Sequence, residues 1–264
     1  VLEIINTKAF QRLKGVKQAG ITSYILKERK ITRYEHCLGV YFLLRKFKAS
    51  REEQIAGLLH DLPHTAFSHV ADFVFSEGKE SYHEKIHKKI LADSGVLEIL
   101  KKHGFKLERF FDDKNFKLLE QPAPDLCADR LDYFLRDSLE LRMDFRKFIS
   151  NIKIVKGKFI FNDEIAALHF AMGFKSMNEL VWENAYETAL YVVASDILKM
   201  ALKKSVIDES DFLRTDNELI DKIKKSDNYV LRSYLASLEE FANEDSCEHN
   251  HTFKVNPKGR YVDP

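Results

Sequence analysis

Four side chains in this 264-residue sequence could share one cation: His36, His60, Asp61 and Asp129. Two imidazoles and two carboxylates make a mixed nitrogen and oxygen donor set suited to a divalent transition metal. His60 and Asp61 stand side by side in GLLHDLPHTAFSH (57–69), at the end of an apolar helical run. Burying such a pair costs on the order of several kcal/mol unless it is paired or bound to a cation. His36 lies upstream in TRYEH and Asp129 downstream in DLCADRLDYFLRD. Any one of them alone is more often a surface or satisfied core residue than a ligand, so the joint pattern carries the reading.

Further polar groups surround these four in the sequence. Asp72 follows His69 by three residues, so on a helix the carboxylate would orient the imidazole and tune it to protonate a leaving oxygen. Arg33, one turn before His36, would set a guanidinium beside the metal, where phosphate oxygens need a partner. His64, His83, Lys17, Gln18 and Arg130 complete the polar surroundings. Asp125, Asp129, Tyr133 and Asp137 fall at successive i, i+4 positions, which predicts one ladder along a single helix face. A large aromatic in that stripe suits a pocket wall better than a solvated face. Cys247, His249 and His251 alternate in CEHNH, but such a triplet lacks the support a second metal site needs. His87, His103 and His169 read as structural or exposed.

The elements that must position these residues are helical. Capping boxes are expected at Thr32/Glu35, Ser50/Glu53, Ser81/Glu84 and Ser176/Glu179. With 10 glycines and 5 prolines, the chain favours long helices over many tight turns. Helices are predicted at roughly 7–19, 33–48, 51–61, 66–77, 82–93, 95–103, 124–141, 164–174, 177–206, 210–225 and 228–243. Pro63 cannot continue the helix that ends near Asp61, so His64 begins a turn. NIKIVKGKFIFN (151–162) reads instead as a small β-hairpin around Lys-Gly. The tail from about 244 is polar and irregular.

Composition narrows the class. Hydrophobic residues at 45% with 31% charged describe a soluble globular chain. Lys+Arg 42 against Asp+Glu 41 gives no general nucleic-acid signal, so an anionic ligand must meet a local basic patch. No apolar run is long enough to span a bilayer, and no secretory pattern opens the chain. Cys37, Cys127 and Cys247 are odd in number and far apart, which implies reduced thiols and a cytoplasmic home. The start at Val1 and the end at VDP suggest a fragment or processed chain. Walker, GxGxxG and GxSxG motifs are missing, so P-loop hydrolysis, Rossmann cofactors and serine hydrolysis have no support.

The H…HD…D pattern resembles the HD superfamily of metal-dependent phosphohydrolases, and most closely its deoxynucleoside-triphosphate triphosphohydrolase branch, which includes SAM-and-HD-domain enzymes. The similarity runs through AFQRLKGVKQAG (9–20), TRYEHCLGVYFL (32–43), AGLLHDLPHTAFSHVAD (56–72), YHEK (82–85) and DRLDYFLRD (129–137), then more weakly to about residue 240. It implies an all-α HD-domain fold over 1–208, apart from the hairpin near 151–162, with a C-terminal helical extension and irregular tail over 209–264 on the same core. His36, His60, Asp61 and Asp129 would ligate one divalent ion (Mn, Fe, Ni, Co, Zn or Mg), and additional Mg would accompany the nucleotide. His64, His69, His83 and Asp72 match the family's catalytic and phosphate-contacting groups. Lys17, Arg33 and Arg130 match or replace its phosphate-binding cations. Gln18 and Asp137 match groups that bind a sugar 3′-hydroxyl, and Tyr133 matches the aromatic that packs where a 2′-hydroxyl would sit. The resemblance implies a deoxynucleoside-triphosphate substrate and a homodimer or homotetramer. It does not extend to guanine-nucleotide activation, because Asn6 and Lys14 replace an acid and an arginine. Ala19 replaces a bulky apolar residue, and Leu62-Pro63 the usual Leu-Gly. An HD phosphatase acting on nucleoside monophosphates or other phosphoesters, and a non-catalytic nucleotide-binding module, are the alternatives.

Overall fold

Thr32 and Glu35 cap each other. The Thr32 hydroxyl accepts from the Glu35 amide at 3.2 Å, and the Glu35 carboxylate accepts from the Thr32 amide at 2.8 Å. This box starts helix Arg33–Lys46 and puts Arg33 and His36 in its first turns. Ser50 starts the next helix, Arg51–Leu59, by accepting from the Glu53 amide. The expected box there is only half made, because the Glu53 carboxylate takes the amides of Leu118 and Leu119 at 2.6 and 3.3 Å instead. His60 is the C-cap of that helix. The chain then turns through Asp61–His64 and passes Phe67 and Ser68, both with positive φ (58° and 52°), before helix Val70–Phe75. The computed structural model describes residues 1–76, 82–241, 260 and 262.

Among the described residues the architecture is mainly helical, with one two-stranded antiparallel sheet. Strands Ile152–Val155 and Lys158–Phe161 pair in the register Ile152↔Phe161 to Val155↔Lys158, around Lys156-Gly157 as the hairpin pattern predicts. One apolar cluster gathers Leu13, Val40, Leu44, Leu58, Leu62, Leu131 and Phe134, from under the His36, His60 and Asp129 segments. A second gathers Ile21, Phe67, Val70, Leu190, Leu198, Leu219 and Leu231, which holds helices Asp216–Lys224 and Tyr229–Phe241 onto helix Ala185–Lys203. The 57–69 segment spans the seam: Leu62 belongs to the first cluster, Ala66 and Phe67 to the second. Fully burying a side chain the size of Phe67 contributes about 1.5–3 kcal/mol, so both cores hold this loop in place.

Several boundaries differ from the sequence expectation. A short helix, Leu2–Ile5, precedes the helix expected at 7–19, which is only Lys8–Arg12 followed by a 3₁₀ turn, Leu13–Gly15. Past it the chain is drawn into extended pairing: the Arg33 amide donates to Val16 O (2.8 Å) and the Gln18 amide to Ile31 O (2.9 Å). Helix 124–141 begins only at Ala128, so Asp125 lies off the ladder and pairs with Lys158 at 2.6 Å. Ser176 is inside helix Glu164–Met177 and caps nothing. A π turn, Asn178–Trp182, follows, and Asn184 caps the next helix. The span 210–225 divides into a 3₁₀ turn, Glu209–Leu213, and a helix capped by an unforeseen Thr215/Glu218 box. The Ser81/Glu84 box, Cys247, His249, His251 and most of the tail lie outside the described residues. Cys37 and Cys127 are buried free thiols. Among the described residues no helix is long and apolar enough to cross a membrane.

Candidate metal centre

Both histidine tautomers in the cluster are set by partners that can only accept. His36 Nδ1 donates to Asp132 Oδ2 at 2.8 Å, and His60 Nδ1 donates to the Gly57 carbonyl at 2.8 Å. Each ring therefore turns Nε2 inward, and the two Nε2 atoms stand 3.2 Å apart. Asp129 Oδ1 lies 2.8 Å from His36 Nε2 and 3.5 Å from His60 Nε2. Asp61 Oδ2 is 3.6 Å from His36 Nε2, and its Oδ1 is 3.5 Å from His60 Nε2. Donors bound to one ion at roughly 2.0–2.2 Å stand about 3–3.5 Å apart, so these separations fit a shared cation. Two facing nitrogen lone pairs between two carboxylates need either protons or a metal ion.

The electrostatics agree. Burial opposes charging of His36, but its hydrogen bonds to Asp129 and Asp132 prevail and raise its pKa to about 9. Burial likewise opposes charging of His60, and the charge of Asp61 with the Asp129 contact raises it to about 10. Burial pushes Asp61 up, yet Arg33 and then His60 hold it well below the usual carboxylate range. Nearby Asp113 is pushed up to about 7 by burial; the charge of His60 opposes this, and those of Asp61 and Asp129 add to it.

Asp132 was missed in the sequence reading. It sits three residues past Asp129, on the same helix, and orients His36 as a carboxylate orients a metal-bound histidine. The i, i+4 ladder passed over it. Gly39 makes its approach possible: a Cβ there would lie 1.8 Å from Asp132 Oδ1. Asp132→Asn should weaken metal affinity about 10–100-fold without abolishing folding, measured by competition with a chromophoric chelator.

A second group of imidazoles adjoins the first. His69 Nδ1 lies 2.9 Å from Asp72 Oδ2, the orientation the three-residue spacing predicts. The His64 and His83 rings stack with centroids 4.0 Å apart, and His69 packs edge-on against both. His64 Nε2 meets Asp61 Oδ1 at 3.1 Å, while its Nδ1 is buried without a partner. Burial, then the charge of Arg33, drives the His64 pKa well below its ordinary value. Burial and His69 lower His83 to about 4. Both are therefore neutral imidazoles near pH 7, so neither is a standing cation for phosphate.

The remaining predicted residues divide. Arg33 joins the cluster: its guanidinium reaches Asp61 Oδ2 (2.6 Å), Ser68 Oγ (3.0 Å) and Gln18 O (3.4 Å). Gln18 Oε1 is buried and has no hydrogen-bond partner among the described residues. Gly20 turns the chain just beyond it at φ 55°, where a Cβ would strike Phe67 O at 2.5 Å. Lys17 Nζ donates to Lys30 O at 2.8 Å, and its amide is held by Asp216 Oδ2, also at 2.8 Å. Arg130 lies beside the cluster, against Cys127, whose sulfur is within 4.8 Å of an Asp129 carboxylate oxygen. It turns toward the 120–127 loop, donating to Gln121 O, Asp125 O and Cys127 Sγ. Tyr133 packs edge-on against Trp182, centroids 5.0 Å apart. Asp137 accepts from Trp182 Nε1 at 2.8 Å and lies 3.8 Å from Arg29, a buried guanidinium that also pairs with Glu140 and Glu187.

Metal binding must compete with the protons these rings hold. Without an ion, His36 and His60 keep protons up to about 9 and about 10, against 6.5 ordinarily. Their contribution to the stability of the ion-free fold is complete below 6.5 and lost as pH rises through those raised values. Metal affinity should run the opposite way, rising from pH 6.5 toward 9 as up to about two protons are displaced. Isothermal titration in buffers of different ionisation enthalpy counts those protons; a pH-independent affinity would contradict this linkage.

Comparison with known proteins gives a consistent result. A family model described as HD domain matches residues 33–137. The uncharacterized protein YdhJ of Bacillus subtilis is 37% identical over 269 residues, 99% of this chain and 82% of that protein. The metal-dependent phosphohydrolase cns2 of Cordyceps militaris is 31% identical over 278 residues, 100% of this chain and 79% of that one. The deoxynucleoside triphosphate triphosphohydrolase SAMHD1 homolog of Dictyostelium discoideum is 26% identical over 271 residues, 86% of this chain and 52% of that one. Among solved structures, a hypothetical protein from Aquifex aeolicus superimposes with a TM-score of 0.71 at 25% identity, over 91% of this chain and 71% of that one.

Proposed function

The chain belongs to the HD-domain family of metal-dependent phosphohydrolases, and from that premise we propose that it hydrolyses deoxynucleoside triphosphates to a deoxynucleoside and inorganic triphosphate. The observation that carries this choice of substrate is Gln18 Oε1, buried and without a partner among the described residues, on a residue whose backbone carbonyl accepts from Arg33; a sugar hydroxyl is a donor it can take. The printed name of the Dictyostelium relative supports the same substrate class.

His36, His60, Asp61 and Asp129 would hold the divalent ion, which when bound would supply Lewis-acid stabilisation of charge on a phosphoryl oxygen. Arg33 is pinned by Asp61 and Ser68, so it presents its guanidinium to phosphate with little entropy left to lose. Lys17 joins it when Nζ leaves the Lys30 carbonyl. His64 and His83, neutral and stacked, line the phosphate path as hydrogen-bonding groups. Water attacks the α-phosphorus as the P–O5′ bond breaks; His69, held by Asp72, gives its proton to the departing 5′-oxygen, and the water's proton passes to solvent. Gln18 and Asp137 take the 3′-hydroxyl, and the Tyr133 ring packs against the sugar. In this reading Arg130 is a loop anchor and not a phosphate ligand. Additional Mg accompanies the nucleotide, and the working unit is a homo-oligomer.

Chromatographic product analysis with each dNTP and NTP tests the reaction. Deoxynucleoside and triphosphate in equal amounts are expected. Pyrophosphate with a monophosphate would refute the bond assignment, and orthophosphate release from monophosphates alone would replace the substrate.

A further inference from the structure

Arg260 is a described residue near the end of the chain, and its guanidinium lies over the wall formed by Tyr133 and Trp182. It is 5.2 Å from the Tyr133 ring centroid and 5.3 Å from that of Trp182. The Arg260 amide donates to Asn178 Oδ1 at 2.6 Å, and Asn178 is itself buried in the π turn next to Trp182. The arginine is thus anchored through its backbone while its side chain stays available. Among the described residues the guanidinium's partners are the two rings, with no carboxylate in ion-pair contact. Its charge is also felt by Glu187 and Tyr191, on the neighbouring helix. Tyr133 is one helical turn from Asp129, so the wall that Arg260 covers is carried by the same helix as a metal-ligand candidate.

We infer that Arg260 is a specificity-determining residue that reads the nucleobase of the substrate. The inference rests on the nucleotide reading above. A planar guanidinium on an aromatic wall can stack beside a base and extend its fork of N–H donors to the base edge. That fork needs two adjacent acceptors. Guanine offers O6 and N7, and cytosine offers O2 and N3; neither adenine nor thymine sets two acceptors side by side. Arg260 therefore favours deoxyguanosine and deoxycytidine nucleotides over those of adenine and thymine. Nothing in the spacing of the 9–137 blocks could have shown this, because the residue arrives from the far end of the chain.

Trp182 is the only tryptophan, so its emission reports on this wall without requiring turnover. The full chain and its Arg260→Ala and Arg260→Lys variants are titrated with each of the four deoxynucleosides and with inorganic triphosphate, after thermal unfolding shows all three folded. The expected result is binding of deoxyguanosine and deoxycytidine by the unaltered chain, weakened about tenfold or more in Arg260→Ala. Arg260→Lys, which keeps the charge but not the fork, loses the base preference. Triphosphate affinity is unchanged in both. Equal nucleoside binding by Arg260→Ala, tighter binding (an arginine that blocks the pocket), an equal loss toward triphosphate (an arginine that holds phosphate), or no nucleoside binding by the unaltered chain would each overturn the assignment. Base-selective binding without hydrolysis of any dNTP would instead refute the proposed reaction and leave Arg260 in place.

Discussion

Asp61→Asn should leave the protein without its metal ion and lower hydrolysis by on the order of 10³-fold or more. A bound cation supplies several kcal/mol of charge stabilisation to a phosphoryl transition state, and each 1.36 kcal/mol is tenfold in rate. Asp61 is the most heavily used acid in the site: one oxygen meets Arg33 at 2.6 Å, the other meets His64 at 3.1 Å, and both face the inward nitrogens. Asparagine preserves shape and removes charge, so the buried Arg33 guanidinium loses its counter-ion. Breaking one side of such a pair costs about 3–5 kcal/mol, which should appear as a lower unfolding temperature. Metal content after dialysis, turnover and thermal unfolding are read on the same sample. A variant that keeps one ion per chain and turnover within tenfold of the parent contradicts the assignment.

His69→Ala should behave differently, and the contrast separates metal binding from proton transfer. A positioned general acid contributes about 10²–10⁴-fold, so kcat falls by that factor while metal content stays at one per chain. His69 is more than a third exposed (37% of its side chain), so its loss leaves no buried hole. Asp72→Asn should lose less in kcat, because the amide oxygen can still accept from the ring, without the carboxylate's charge. An unaltered kcat in His69→Ala would assign the proton to another group.

The four central positions were legible in the sequence because HD is adjacent and His36 follows a capping box that sets its place in a helix. The His69–Asp72 pair was legible for the same local reason. What depended on tertiary contact was not. Asp132 looked like an ordinary helix acid until Gly39 on another helix gave it room beside His36. Arg130 shares a helix with Asp129, yet side-chain direction sends it toward Gln121 and Asp125. The ladder from Asp125 failed because helical periodicity was extended back to Pro124, whereas the chain enters the helix only at Ala128 and Asp125 pairs with Lys158. Glu53 kept its place near a cap but gave its carboxylate to a distant loop. Local spacing thus located the chemistry, and long-range packing decided which charged groups face it.

Anomalous diffraction from crystals grown with Mn or Fe addresses the metal centre directly. The account predicts one strong peak per chain within about 2–2.5 Å of an imidazole nitrogen of His36 and His60 and a carboxylate oxygen of Asp61 and Asp129. A peak held by His64, His69 and His83 instead, or none at saturating metal, would contradict it.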